Sequence, residues 1–572
     1  MIGGAHKKRF AAAVLAIVLT AGMVVPATAG SPGEGVDLEM ITRIRQEEFR
    51  DSKVMDTLSE LTDDIGPRLT GSPNMKRANE WTRDQFTKWG LVNAHLEAWG
   101  PFGRGWSEEA AAVRMVAPDT AMLFAYPEAW TPGTPGMVRG KVVRAKITRQ
   151  EDFEKYRGKL AGAIVLLGEM HEVKPQDEAA MVRYDDKRLD DIYQYQAAMY
   201  PGYHRPERAE LVRMFAFRKQ LAQFLAEEKP AVVIKPSSGD GGTIFVGGSR
   251  PAKGDSPAVP TLMMAIEHFG RISRLVDRDV PVELEVDVRN KFYGDDESMA
   301  YNTVAEIPGT DKKDEIVMLG GHLDSWHSGT GATDNGAGVA VAMEAVRLLK
   351  ALGVKPRRTI RIALWSGEEQ GLLGSKAYVA QHVAERQEPP VKDVAEAALP
   401  SYMRRARGPI VTKSEWPKIS AYFNLDNGSG KIRGIYTQQN AAVRPIFEAW
   451  LEPFRDLGAG TITLRDTGGT DHLSFDAVGV PGFQFIQDPL EYMSRTHHSN
   501  MDVYERAQKQ DLTQASAIMA AFVYEAAMRD QMMPRKPMTV DTELVRADLK
   551  QEQSKPVAEK KSKPVKKAAQ KN

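Results

Sequence analysis

The chain has 572 residues, 76 Lys and Arg against 76 Asp and Glu, and no cysteine. That length exceeds a single hydrophobic core, and the lack of cysteine excludes disulfides, thiolate metal sites and cysteine nucleophiles. Removing Lys7, Lys8 and Arg9 with the leader leaves −3, and setting aside the Lys-rich end leaves a body near −9, which argues against polyanion substrates and nucleic acid.

Lys7–Arg9 precede an apolar run, Phe10 to Val25, that Pro26 closes; Ala27-Thr28-Ala29 then has the small-x-small form of a signal-peptidase site. Residues 1–29 therefore read as an export signal rather than a membrane anchor, because the run is short for a span of ~20 residues. A periplasmic or extracellular protein with no stable membrane span after cleavage is expected. From Val36 to Trp99 the periodicity is helical, with Met55, Leu58, Leu61, Ala78, Trp81 and Phe86 as apolar positions. Residues 36–104 are assigned to the first part of a catalytic domain.

Residues 105–285 differ: short β-type runs (Lys141–Arg144, Ala163–Leu167, Ala231–Lys235, Thr243–Val246) are separated by Gly and Pro turns. A charged, helix-like stretch from Asp185 to Glu228 interrupts them. This segment reads as a second, β-rich domain with a helical insertion and no convincing metal cluster. From 286 to 535 strands and helices alternate. Glu315–Gly320, Thr359–Trp365, Ile419–Leu425 and Gly482–Ile486 are predicted strands. A helix carries Val339, Met343, Val346 and Leu349 up to Gly353, and further helices cover Ala441–Leu457 and Leu512–Met528. Such alternation predicts an α/β fold, a mostly parallel sheet with helices on both faces. Residues 536–572 read as a disordered, Lys-rich tail: the last 23 residues hold eight lysines and no aromatic.

The candidate chemistry lies at strand ends and turns of the last segment, in GGHLDSW, TDNGAG, LWSGEEQGLLGS, FNLDNGSG and THHSNMD. Imidazole and carboxylate together suit a zinc site. His322 and Asp324 are two residues apart, so the Asp324 carboxylate is expected to take the second ring N–H of His322. His327 reads as an ordinary loop histidine. Asp334 is either a helix cap or a metal-bridging carboxylate, and spacing leaves these level. Glu368 and Glu369, as neighbours, point different ways; they are either surface residues opening a helix or a ligand beside a free acid. Asp426 precedes a turn, and Asp502 is expected to orient His498. Separately these signals are weak; together, on successive strand ends, they point to a zinc hydrolase.

In that order the five motifs, with GPRLTGSPNMKRANEW near residue 70, resemble the co-catalytic zinc exopeptidases of the aminopeptidase Y and carboxypeptidase Q type. The resemblance covers residues 40–530, and the β-rich middle looks like the protease-associated domain inserted in such enzymes. It implies two zincs per chain, held by His322, Glu369, Asp426 and His498 and bridged by Asp334 through a cis Asp334–Asn335 peptide. Glu368 would be the general base and Asp324 would orient His322. Hydroxide held at the zincs would attack the peptide carbonyl, most simply at the amino end of peptide substrates. A carboxypeptidase or dipeptidase is the first alternative, with Arg465 and Arg495 near the site as cations for a carboxylate. A non-catalytic, receptor-like binding module and a single-zinc cyclase are further ones. Where some members of the family have an oxyanion tyrosine before the last histidine ligand, this chain has His497, so His497 and Tyr492 are the candidate oxyanion or substrate contacts; His497 is also the alternative to His498 as ligand, the His-Ser-x-x-Asp spacing favouring His498. Gly468–His472 resembles a substrate-side loop. The oligomeric state stays open, a homodimer included.

Overall fold

A computed structural model describes residues 34–194, 207–250, 258–386 and 410–537. The expected signal segment, 1–29, and nearly all of the Lys-rich tail lie outside those residues.

The main sheet has eight strands. In order they are Val92–Trp99, Ala300–Ile307, Arg358–Trp365, Lys312–His322, Ile419–Asn424, Gly482–Gln487, Ile432–Tyr436 and Thr461–Thr463. The four central strands, from Arg358–Trp365 to Gly482–Gln487, are mutually parallel. Antiparallel pairing joins strands to them on both sides. Ile316 to His322 is buried without interruption, as a strand covered on both faces requires. The helices Ala337–Ala351 and Lys509–Met528 pack on one face; their Ala- and Val-rich sequences let every residue from Asp511 to Ala527 be buried. Trp365, Tyr378, Tyr422 and Phe475 fill the other face. The architecture is the α/β one that the alternation predicts. Among the described residues no helix is long and apolar enough to cross a membrane.

A second eight-stranded sheet draws on residues 105–293, in the order Ala121–Leu123, Gly105–Ala117, Glu283–Tyr293, Val138–Ala145, Ile164–Leu167, Val232–Pro236, Thr261–Met264 and Ala125–Pro127. It has its own core, including Val113, Met115, Leu166, Ile234 and Leu284. Helices Asp186–Tyr193 and Arg208–Glu228 occupy the charged stretch.

Two expectations are corrected. Val92–Trp99 is an edge strand, not a continuation of helix: Ser72 caps the helix Pro73–Lys88, and after it Val92, Ala94, Leu96 and Ala98 alternate with polar residues. Thr243–Val246 joins neither sheet as a strand. Its backbone pairs instead with the segment around Ser499, where Phe245 forms an isolated bridge.

Candidate metal centre

His322 ends a central strand and is 1 % exposed. Its Nδ1 bonds the backbone carbonyl of Asp324 at 3.0 Å, which fixes the tautomer. Nε2 then faces Asp334 Oδ1 at 3.4 Å and Asp426 Oδ1 at 3.3 Å. The Asp324 carboxylate is not the orienting group that the spacing suggested: it is 3.6 Å from Nδ1, because the chain leaves extended geometry after His322 and strict alternation ends. It accepts instead from Thr70 Oγ1 at 2.9 Å and from the amides of Glu368 and Glu369 at 3.2 and 3.3 Å. Asp324 thus fixes the turn that carries both glutamates.

At TDNG the two readings of the sequence are divided between neighbours. Asn335 Oδ1 accepts the Gly338 amide at 3.1 Å, near the helix start, and its Nδ2 donates to the Leu425 carbonyl at 2.8 Å. Gly338 is required there, since a Cβ would lie 2.1 Å from the same carbonyl. The Asp334–Asn335 peptide is cis, as expected, and the Asp334 carboxylate points into the cluster. Asp502 serves this turn and not His498: it accepts from Thr333 N at 2.6 Å, Thr333 Oγ1 at 2.8 Å and Asp334 N at 3.2 Å.

Glu368 and Glu369 are buried rather than surface residues. His498 Nε2 lies 2.9 Å from Glu369 Oε2 and 3.2 Å from Asp334 Oδ2, whereas His497 Nε2 is 3.8 Å from the latter. The two imidazoles stack with centroids 3.7 Å apart. Tyr492 donates its hydroxyl to Asp334 Oδ1 at 3.0 Å, so that group is spent on the carboxylate. His327 lies in the wall, bonded to the Pro127 carbonyl at 2.7 Å and edge-on to Trp106. Asp471 and His472 are buried; Ser375 Oγ donates to Asp471 at 2.5 Å. Arg465 and Arg495 are engaged elsewhere, with the carbonyls of Asp191 and Gln194 and with Glu491 respectively.

Sequence reasoning missed Arg68. Fully buried, its guanidinium donates to five carbonyls: Leu323 at 2.7 Å, Leu61 at 3.0 Å, Gly66 at 3.2 Å, Thr330 at 2.8 Å and Gly331 at 2.7 Å. It ties the loop after His322 to the first helical segment. The only signal for it is its place in GPRLTGS.

The electrostatics show what the pocket lacks. Burial holds the Glu368 carboxyl well above the ordinary range, with Asp426, Asp471 and Glu369 adding to the rise and His322 opposing it. Burial, with Asp334, raises Glu369 to about 7. His498 and His322 go the same way: burial disfavours their charge, but Glu369 and Asp334 outweigh it at His498, raising it to about 11, while Asp426 and Glu368 do so at His322. Seven acids crowd into a buried region, an arrangement that is costly without cations. Buried His322 Nε2, Asp334 Oδ2, Glu369 Oε1 and Asp426 Oδ1 have no hydrogen-bond partner although they converge. Two triads, His322–Asp334–Asp426 and Asp334–His497–His498, each have their ligand atoms within 4.8 Å of one another. The donor set fits divalent cations.

A parallel α/β sheet with such a cluster at the carboxyl ends of its strands defines a metal-dependent hydrolase. Residues 302–523 match the model of Peptidase family M28. Carboxypeptidase Q of Bos taurus is 28% identical over 479 residues, 84% of this chain and 86% of that protein. Aminopeptidase YwaD of Bacillus subtilis is 28% identical over 239 residues, 41% of this chain and 46% of that one. Among solved structures, the Peptidase M28 precursor from Shewanella amazonensis superposes with a TM-score of 0.60 at 25% identity, covering 87% of this chain and 99% of that one.

Proposed function

We propose that this peptidase is an exported di-zinc exopeptidase that removes residues from the amino end of peptides. The observation that carries the zinc reading is the convergence of unpartnered, buried ligand atoms from separate strand ends. His322, Glu369, Asp426 and His498 would hold the two ions. Asp334, which is common to both triads, would bridge them. Bound zinc would supply Lewis acidity, lowering the pKa of water and polarising the scissile carbonyl. Glu368, an acid beside the ligands but not one of them, takes the proton from the attacking water and returns it to the leaving amine. Asp324 is a positioning residue, holding the Glu368–Glu369 turn through two amides. His497, about a third exposed above the cluster, is the donor we assign to the developing oxyanion.

Two lines of support favour the amino end. Arg465 and Arg495, the cations near the site segments, have partners elsewhere, and the pocket is rich in acids suited to an ammonium. A carboxypeptidase or dipeptidase is the second reading, supported by relatives of the carboxypeptidase Q type matching along 84% of the chain. We assign residues 36–104 and 286–535 to the catalytic domain and 105–285 to an inserted protease-associated domain. Export rests on the leader, with cleavage after Ala29. The deciding experiment is hydrolysis of amino-blocked and carboxyl-blocked dipeptides by the zinc-loaded protein. Turnover only of substrates with a free amine is expected; turnover only of those with a free carboxylate transfers the assignment to the second reading.

A further inference from the structure

The turn that carries His498 is fastened from outside the main sheet. Residues 242–246, which follow the strand Val232–Pro236 of the second sheet, run antiparallel to it. The Val246 amide donates to the His498 carbonyl at 3.0 Å, and the Asn500 amide donates to the Ile244 carbonyl at 3.2 Å. The Asn500 side chain closes the pairing: Oδ1 accepts the Ile244 amide at 2.7 Å and Nδ2 donates to the Gly242 carbonyl at 3.2 Å. Between these contacts His498 has φ 62°, a left-handed backbone that a non-glycine side chain keeps only when its surroundings impose it. Behind its ring stands Trp326, 5.9 Å between centroids, and Trp326 in turn lies against Gly247 of the same fastening segment.

We propose that Asn500 is a positioning residue for His498. It clamps residues 242–246 onto the His498 turn, so that the second sheet sets the imidazole on the Glu369–Asp334 side of the cluster. The inference rests on reading that cluster as a zinc site. An amide suits the position because both its acceptor and its donor are used; a carboxylate keeps only the acceptor and an alanine neither. His322 ends one central strand of the main sheet and Asp426 lies two residues beyond the end of another, so neither depends on the clamp. Its loss therefore releases one side of the cluster and spares the other.

The test is zinc retention by the intact chain against a graded competing chelator, with thermal melting of the zinc-free protein alongside. Asn500→Ala is expected to surrender the zinc held at His498 at a chelator strength roughly 10- to 100-fold lower than wild type, while the zinc at His322 and Asp426 leaves where it does in wild type. Asn500→Asp should fall between them, and it carries the comparison if the alanine variant does not fold. A purely structural role would lower the melting temperature and leave the zinc curves superimposed; superimposed curves overturn the clamp. Wild-type protein that takes up no zinc overturns the metal reading itself and the clamp with it.

Discussion

Replacing Arg68 by methionine tests whether a single buried side chain holds the loop after His322 in place. Of its five carbonyl partners, those of Leu61 and Gly331 also accept the amides of Gly66 and Gly336. The carbonyls of Leu323, Gly66 and Thr330 are the ones Arg68→Met leaves short of a donor. At about 2 kcal/mol for each bond lost from a charged donor, the loss is about 6 kcal/mol. Against this, the arginine's own burial is costly: desolvation brings its pKa down to about 10, despite the opposing charges of Asp502, Asp324 and Asp334. Relative to an ordinary value of ~12.5, and at roughly 1.4 kcal/mol per pH unit, removing that charge returns about 3 to 4 kcal/mol. The net expectation is a destabilisation of about 2 to 3 kcal/mol. Urea unfolding of the zinc-free protein measures it. Arg68→Lys should fall close to Arg68→Met, because three donors on one nitrogen cannot span carbonyls on two sides of the pocket. A loss under about 1 kcal/mol at an unchanged denaturant slope would refute the argument.

That arginine also marks the boundary of what the sequence makes legible. His322, Asp334, Glu368, Glu369, Asp426 and His498 could be singled out because imidazoles and carboxylates at successive strand ends are an uncommon combination, and the strands themselves announce their burial by apolar runs. The central sheet and its two buried helices follow from the same patterns. What could not be read is who accepts from whom once the chain leaves a strand. Asp324 was expected to serve His322 through its carboxylate, yet its carbonyl does so and the carboxylate turns to two amides. Asp502 was matched with its near neighbour His498 and instead holds Thr333 and Asp334. Both reversals depend on turn geometry, to which residue spacing is blind. The Arg68 guanidinium bonds only backbone, so no partner side chain advertises it. The pairing of residues 244–246 with 498–500 spans half the chain and has no local period at all.

Three further outcomes are expected. Glu368→Gln should keep its zinc content yet lose ~10²–10⁴ in kcat, because the ligands survive and the base does not; undiminished turnover would assign the base elsewhere. Asp502→Asn should weaken zinc retention by roughly 10- to 100-fold, since an amide nitrogen would face the Asp334 N–H that the carboxylate now accepts; chelator competition reads this, and an unchanged curve contradicts it. The last concerns pH, away from the site. Glu48 is fully buried near the end of the helix Leu38–Asp51 and accepts from Ser52 Oγ at 2.6 Å. It lies beside Glu344, which holds the Lys53 amide and Arg347. Burial first, and Glu344 second, push the Glu48 carboxyl up to about 9. The folded protein thus binds this proton more tightly than the unfolded chain, whose carboxyl titrates near ~4.5. The corresponding stability is fully present below that value and drains away as pH climbs towards the folded pKa. At pH 7 roughly 3 kcal/mol has been lost. Glu48→Gln has no such proton to lose, so its melting temperature should stay close to wild type near pH 5 and rise progressively above it towards pH 8. A gap that is constant across that range, or that closes as pH rises, would mean that Glu48 is already ionised in the folded protein and that Arg347 outweighs the burial.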